Sequence, residues 1–170
     1  MSRRIFLLIG LFFIAYFEFK QFFIASPGRS TEITKEATAT AKITAGELAT
    51  VANIIDGDTI ELTDGRRVRY IGIDAPEYNE CYGQEAKEEN RKFVENKSIR
   101  LEKDSSNTDN YGRLLRYVYV GDTMVNEFLV IGGFARAWSV PPDEKLSDAF
   151  SAAQLEARQM SRGLWQACRK

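Results

Sequence analysis

Alternating apolar and polar positions predict a run of short strands in the middle of the chain. Segments rich in β-branched residues cover 48–55, 59–63 and 67–73, and the Asp64-Gly65 pair between the last two is a strong hairpin signal. Two more strand patterns cover 98–103 and 113–120. The pattern therefore predicts five strands, followed by a short extended piece at 134–138.

Three segments have the periodicity of amphipathic helices. They are 83–96, with Ala86, Phe93 and Val94 facing inward, then 123–133, then 141–165. In the last helix we expect Pro142 in the first turn and Gly163 at the C-terminal cap. Five strands with an inserted helix and two trailing helices predict an α+β fold, a five-stranded OB-fold β-barrel with three packed helices. A four-stranded sheet with helices on one side fits this pattern nearly as well.

The N-terminus has a different hydropathy pattern. Arg3 and Arg4 precede an apolar run over 5–17, which is shorter than the about 18–20 residues of a clean transmembrane helix and suits a signal peptide. No small-residue cleavage site follows directly, so an uncleaved hydrophobic signal-anchor helix over 1–25 is favoured. A cleaved signal peptide and a buried core helix are the alternatives. The two arginines predict that the N-terminus stays in the cytoplasm and the rest is exported.

This topology predicts a location and a domain organisation. We expect a single-pass protein of the cell membrane with its folded domain outside the cytoplasm, or a secreted protein if the segment is cleaved. Residues 26–46 are rich in Ser, Thr, Ala, Gly and Lys and contain no aromatic residue, which is typical of a flexible linker. The folded domain is expected over 47–170.

Composition excludes several kinds of catalytic site. The 170 residues include no histidine, which excludes Ser-His-Asp and Cys-His catalysis and every His-ligated zinc site. The two cysteines cannot form an all-cysteine zinc site. The formal net charge is −1, so a polyanionic ligand would have to be bound by local arginines or by a metal ion rather than by bulk charge.

Two acidic turns lie at the ends of predicted strands. Asp56 and Asp58 flank a glycine that is expected to allow the turn conformation, and Asp74 and Glu77 flank an Ala-Pro pair. Each carboxylate could simply hydrogen-bond its own backbone. If neighbouring strands bring the turns together, however, two or three carboxylates and a backbone carbonyl form the ligand set of a hard cation, Ca²⁺ or Mg²⁺.

Two arginines and one carboxylate complete the candidate chemistry. Arg69 and Arg113 present planar forks that suit phosphate oxygens. The alternatives are a strand-surface role for Arg69 and a solvated-loop role for Arg113. Glu77 is a candidate general base for water, which requires no histidine, or else a partner of one arginine in a salt bridge.

Five strings in a fixed order carry a resemblance to a known family. "VANIIDGDTIEL", "RVRYIGIDAPE", "YGQEA", "DNYGRLLRYVY" and "MVNEFLVIGGFARA" resemble the staphylococcal nuclease-like, or thermonuclease, family over about 48–166. The resemblance implies an OB-fold barrel with three helices. It also implies a Ca²⁺-dependent endonuclease that hydrolyses phosphodiester bonds of DNA and RNA and leaves 3′-phosphates. We expect a monomer whose partners are its nucleic-acid substrates and, through the N-terminal helix, the membrane.

The resemblance also assigns roles residue by residue. It implies one Ca²⁺ bound by Asp58, Asp74 and the backbone carbonyl of Ala75, although Mg²⁺ and Mn²⁺ fit the same ligands. Asp56 matches an aspartate just outside the direct metal ligands. The remaining positions match a general base, two arginines on the scissile phosphate and a tyrosine near a substrate phosphate; these are Glu77, Arg69, Arg113 and Tyr111.

The sequence departs from the family pattern at two places. The loop after Glu77 is short, and the segment after Trp138 does not align with the family's base-stacking aromatic residues. Trp138 is expected to take that role, with a buried core tryptophan as the alternative. Separately, export to an oxidising compartment would favour a Cys81–Cys168 disulfide that ties the chain's end to the loop after Glu77; two free cysteines are the alternative.

Two other functions compete with the enzyme. One is a non-catalytic OB-fold module that binds nucleic acid or protein, and the other is an envelope protein that uses Ca²⁺ only for stability. Retention of all five candidate site residues favours the enzyme over both; they are Asp58, Arg69, Asp74, Glu77 and Arg113.

Overall fold

Eight strands and four helices make up residues 46–168, the part of the chain that the computed structural model describes. In chain order they are β1 (Glu47–Ile54), β2 (Thr59–Leu62), β3 (Arg67–Tyr70), β4 (Ile73–Asp74), α1 (Gly83–Val94), β5 (Ser98–Glu102), β6 (Leu114–Val120), β7 (Thr123–Met124), α2 (Val125–Ile131), β8 (Arg136–Ala137), α3 (Ser147–Gln159) and α4 (Leu164–Ala167).

Five of the strands close into a barrel. Neighbours along the order β3-β2-β1-β5-β6 pair antiparallel, and the parallel pairing of β3 with β6 closes the ring. Strand β7 extends the sheet beside β6, and β4 pairs with β8 in a separate two-stranded ribbon. The predicted α+β fold, a five-stranded OB-type barrel with packed helices, is confirmed, and the four-stranded alternative is wrong.

Strict alternation along the strands places the core inside this barrel. In β3, Val68 and Tyr70 point inward and are buried, whereas Arg67 and Arg69 point outward. Strand β5 repeats the pattern with Ile99 and Leu101 inside. Because the side-chain period is two, the register that buries these apolar residues also places both arginines on one outer face.

The first two helices lie close to their predicted positions. Helix α1 buries Ala86 and Val94, while Phe93 is partly buried against the core. The predicted helix at 123–133 begins two residues later, because Thr123 and Met124 pair with β6 as a strand.

The predicted long final helix over 141–165 is wrong. Residues 141–146 are not helical, so Pro142 does not lie in a first turn, and α3 begins only at Ser147. Asp143 explains the late start, since its Oδ1 accepts hydrogen bonds from the backbone N–H groups of Ser105 and Ser106 at 3.0 and 2.7 Å. Gly163 does not cap this helix at its C-terminus. It precedes the separate helix α4 instead.

The signal-anchor predicted at 1–25 lies outside the described residues, as does the linker predicted at 26–46 apart from Gly46. Within 46–168, no helix has the length and apolar character needed to cross a membrane.

Candidate active site

Asp58 and Asp74 meet at a single nitrogen of Arg69. Nη2 of Arg69 lies 3.1 Å from Oδ2 of Asp58 and 3.3 Å from Oδ1 of Asp74. Asp58 stands at the turn between β1 and β2, and Asp74 ends β4. The strands therefore bring the two acidic turns together, which is the condition on which the hypothesis of a hard-cation site depends.

The other terminal nitrogen of Arg69 is fixed to the backbone. Nη1 donates to the carbonyl oxygens of Tyr70 and Ile73, both at 2.8 Å. Four hydrogen-bonding or ionic contacts thus hold one guanidinium across the β3–β4 corner. Arg69 is not a free strand-surface residue, because its side chain is largely buried between these groups.

Asp58 is a carboxylate taken almost entirely out of water. It is 4% exposed, and burial raises the pKa of its carboxyl well above the ordinary value of 3.8. The positive charge of Arg69 opposes this rise, whereas the negative charge of Asp56 adds to it. A further cation placed against this buried carboxylate would stabilise its charged form.

The turn that carries Asp58 is supported from two sides. Oδ1 of Asp56 accepts the backbone N–H of Asp58 at 3.0 Å, and the carbonyl of Asp56 accepts Nδ2 of Asn90 at 3.1 Å. Asp56 therefore helps to fix the backbone of the turn that carries Asp58. Gly57 is required for space rather than for an unusual backbone conformation, since its φ is not positive and a Cβ would lie 2.6 Å from that of Ala75.

The residues assigned to Ca²⁺ fit a hard cation in their chemistry. The backbone N–H of Ala75 donates to Oδ2 of Asp58 at 2.7 Å, so the peptide next to Asp74 lies against the buried carboxylate. Within residues 46–168, no three His, Cys, Asp or Glu side chains form a metal-binding cluster. A metal here would thus rely on Asp58, Asp74, a backbone oxygen and water, which is an oxygen-only set of the kind that Ca²⁺ accepts.

Glu77 lies three residues beyond Asp74 and is exposed. Its backbone N–H donates to Oε2 of Glu80 at 3.1 Å, and its carbonyl accepts the N–H of Glu80 at 2.9 Å. In the described part of the chain its carboxylate forms no hydrogen bond or ion pair, so the alternative of a salt bridge to an arginine is wrong. The loop is packed tightly behind it, since a Cβ on Gly83 would lie 1.8 Å from the Glu77 carbonyl oxygen.

A disulfide ties this loop to the end of the domain. Cys81 and Cys168 are bonded, and no free cysteine occurs among the described residues. The bond joins the residue following α4 to the segment between Glu77 and α1. The predicted pairing is thus present in the structure.

A cavity of about 410 Å³ brings together residues that lie far apart in the sequence. Arg69, Arg113 and Trp138 all line it. Trp138 is 63% exposed, which makes the buried-core alternative wrong, and its backbone N–H donates to the carbonyl of Gly72 at 2.8 Å. A flat aromatic face therefore stands beside the two arginines.

Arg113 is held by a partner that the sequence did not single out. Its Nε donates to Oδ2 of Asp109 at 2.6 Å, and its backbone N–H donates to Oδ1 of the same residue at 3.0 Å. Partial burial would raise the pKa of Asp109, but the hydrogen bonds from Arg113 and from the Tyr111 backbone outweigh it and lower this pKa below its ordinary value. Arg113 is accordingly not a loosely solvated loop residue.

Tyr111 does not line the cavity of Arg69 and Trp138. It is 86% exposed and lines a neighbouring groove with Arg113, whose guanidinium lies 5.5 Å from the centre of its ring. The tyrosine therefore lies beside Arg113 but outside the cavity that Arg69 and Trp138 line.

Comparison with known proteins identifies the family. Residues 67–167 match the family model described as staphylococcal nuclease homologue. The chain belongs to this family. The match covers β3 to α4, and thus includes Arg69, Asp74, Glu77 and Arg113.

Several curated relatives of this staphylococcal nuclease homologue are nucleases by name. The chain is 40% identical over 130 residues to a thermonuclease of Staphylococcus intermedius, which covers 71% of this chain and 77% of the relative. It is 37% identical over 124 residues to a thermonuclease of Staphylococcus hyicus, covering 68% and 73% of the two chains. With endonuclease YncB of Bacillus subtilis it shares 38% identity over 127 residues, covering 68% of this chain and 60% of that one.

Sequence reasoning missed the buried polar residues that support this homologue's site. Asn90 is fully buried and links Asp56 to the hydroxyl of Tyr70, which donates to Asn90 Oδ1 at 2.9 Å. Thr59 donates to Oδ1 of Asp58 at 3.1 Å. A signal for Asn90 was present, because it lies four residues from both Ala86 and Val94 on the inward face of α1, where a polar residue requires a partner.

Proposed function

We propose that the protein is a Ca²⁺-dependent endonuclease of the cell exterior that cleaves DNA and RNA and leaves 3′-phosphates. As a staphylococcal nuclease homologue it is an endonuclease-type hydrolase by family, and its nucleic-acid substrates follow from that membership. Support for the Ca²⁺ requirement comes from the donor set of the site. The proposal of export rests on the hydropathy of the N-terminal segment.

The convergence of Asp58 and Asp74 on Arg69 is the observation that carries the proposal. Two carboxylates and a guanidinium in one corner can serve both a hard cation and an anionic substrate. Bound by Asp58, Asp74 and the Ala75 carbonyl, Ca²⁺ would supply positive charge that offsets the negative charge developing on the phosphate.

The chain's own residues supply the other parts of the reaction. Arg69 and Arg113 bind the phosphate oxygens from two walls of the cavity, and their charge stabilises the transition state more than the ground state. The Glu77 carboxylate accepts a proton from the attacking water, whose oxygen forms the new bond to phosphorus as the bond to the 5′-oxygen breaks. Trp138 offers its exposed face to a base next to the cleaved bond.

Cleavage assays with the full-length protein test this proposal. We expect cleavage of single-stranded DNA and of RNA in Ca²⁺, no cleavage with a chelator, and a rate lower by at least about 100-fold for Glu77→Gln. Mass analysis of the products should find the phosphate on the 3′ end. Products with 5′-phosphates would contradict the proposed direction of bond breakage.

Asp58→Asn tests whether Asp58 binds the Ca²⁺. Ca²⁺ at about 100 times its dissociation constant should stabilise the wild type by about 2.7 kcal/mol. The rise in melting temperature that this stabilisation causes should disappear in Asp58→Asn. It should persist in Asp122→Asn, which alters an exposed carboxylate in the β6–β7 turn. Binding of DNA without turnover in any metal would favour the non-catalytic OB-fold module, and stabilisation by Ca²⁺ without DNA binding would favour the purely structural role.

A further inference from the structure

A second groove adjoins the cavity that Arg69, Arg113 and Trp138 line. It measures about 580 Å³ and lies between the β2–β3 hairpin, which contributes Arg66 and Arg67, and the segment before β6, which contributes Tyr111 and Arg113. Arg113 also lines the cavity of Arg69 and Trp138. The two depressions therefore share one arginine as a common wall, so a chain lying in one can continue into the other.

The strands place a third arginine beside this shared wall. Arg67 and Arg69 alternate with the buried Val68 and Tyr70, so both point outward from β3. Two residues along a strand place their Cα atoms about 6.6 Å apart. The parallel register pairs Val68 with Leu114, which sets Arg67 next to Arg113. This backbone spacing is comparable to the distance between successive phosphates in an extended nucleic-acid strand.

The ion pairs in this groove distinguish Arg67 from Arg66. The guanidinium of Arg66 donates to Glu47 at 2.5 Å and to Asp64 at 2.6 and 2.8 Å, so its hydrogen-bonding edge is committed. Among the residues that the structure describes, Arg67 has a single ionic contact, which is loose: its Nε lies 3.6 Å from Glu61, and its side chain is 59% exposed.

The acidic groups around the groove do not cancel the charge of Arg67. Glu47 and Asp64 are bound to Arg66, and Asp109 is bound to Arg113. Of the carboxylates within residues 46–168, Glu61 is the one that forms an ion pair with Arg67, at a distance too long for a hydrogen bond. Arg67 is thus the cation in this groove that an incoming anion can bind at the lowest cost in lost contacts.

We propose that Arg67 binds the phosphate next to the scissile one, in the groove that it forms with Tyr111. The inference rests on the proposed nuclease function and adds to it Arg67 as a strand-binding residue whose contact does not depend on base sequence. A phosphate between Arg69 and Arg113 places its neighbour on the strand within reach of Arg67. The exposed ring of Tyr111 forms the opposite wall.

Substrate length provides the test, carried out on the full-length protein. A dinucleoside monophosphate has only the scissile phosphate, whereas a twelve-nucleotide single strand fills both depressions. Arg67→Ala should raise KM for the longer strand about 10-fold, leave its kcat unchanged and leave both constants for the dinucleoside monophosphate unchanged. The slope of log(kcat/KM) against log[salt] for the strand should become shallower by about 0.7.

Two variants serve as controls. Arg67→Lys keeps the charge and should retain most of the affinity, and Arg91→Ala removes an arginine of α1 that pairs with Glu88 and Glu95 and should change neither constant. Equal losses of Arg67→Ala on both substrates, or no loss on the strand, would overturn the proposal. Because the wild type's turnover is read in the same assay, its failure to cleave either substrate would count against the nuclease function. Strand affinity of wild type and Arg67→Ala, measured by fluorescence anisotropy, would then still decide the role of Arg67.

Discussion

The carboxylate of Asp109 binds Arg113 twice, at its side-chain Nε and at its backbone N–H. Nε is not one of the two terminal nitrogens, so the pair fixes the direction of the guanidinium while leaving its outer edge toward the cavity. Asp109 is therefore a positioning residue for a phosphate-binding arginine.

Asp109→Asn should lower kcat about 10-fold, which corresponds to about 1.4 kcal/mol of transition-state stabilisation. The amide keeps the size of the side chain but lacks the charge that holds Nε. Kinetics of Asp109→Asn, Arg113→Ala and the double variant form a cycle that checks the mechanism. If Asp109 acts through Arg113, the double variant should be no slower than Arg113→Ala; additive losses would contradict this link.

The lowered pKa of Asp109 predicts an acid-sensitive contribution to stability. A carboxyl whose pKa is lower in the folded state stabilises the fold above its unfolded pKa of about 3.9, and this contribution is lost as the pH falls through the folded value. The difference in free energy of unfolding between wild type and Asp109→Asn should hence be constant from pH 7 to 5 and shrink below about pH 4. Urea titrations at these pH values measure it. A difference that stays constant down to pH 3 would show that Asp109 does not titrate in this way.

Gly83→Ala should slow catalysis and destabilise the fold, although alanine is the better helix former. In a helix interior this exchange stabilises by about 1 kcal/mol, and Gly83 is the first residue of α1, where the gain is smaller. The added Cβ, however, would lie 1.8 Å from the Glu77 carbonyl oxygen, so the loop carrying the candidate base has to move. Thermal unfolding and kcat of Gly83→Ala, beside those of the exposed neighbour Gln84→Ala, decide between the two effects. A rise in melting temperature with unchanged kcat would rule out the steric argument.

Loss of the Cys81–Cys168 bond should reduce stability by about 4–5 kcal/mol, the chain-entropy value for a closed loop of this length. Guanidinium unfolding of the wild type with and without reductant measures the change. The double variant Cys81→Ser/Cys168→Ser should have the same free energy of unfolding as the reduced wild type, and reductant should not change it. Two unmodified thiols in the mass of the native protein would contradict the pairing.

The sequence was sufficient for the parts of the fold that depend on local pattern. Alternation in β3 and the Asp64-Gly65 turn predict the β2–β3 hairpin because register and turn chemistry both act over a few residues. The same local rules fail at the final helix. There Asp143 hydrogen-bonds Ser105 and Ser106, nearly forty residues earlier, and this tertiary contact outweighs the helical periodicity of the segment.

The candidate site divides in the same way. Short turns at the ends of neighbouring strands allowed Asp58 and Asp74 to meet, but the turn pattern alone left backbone hydrogen bonding as the alternative. The residues that support these carboxylates could not be predicted. The contact from Asn90 to Asp56 spans 34 residues and forms only when α1 packs on the barrel. The Asp109–Arg113 pair is local, but its importance depends on the cavity that β3 and β6 form together.

The disulfide determines what happens when a protease cuts the protein chain once. Because it joins positions 87 residues apart, the segment that contains α1, β5, β6 and Arg113 is a covalent ring. A protease that cuts once within the exposed loop before β6 opens this ring without releasing a fragment. Both pieces stay attached, and the barrel strands can re-pair within one molecule, so a nicked copy would keep all the strands that it needs to remain folded.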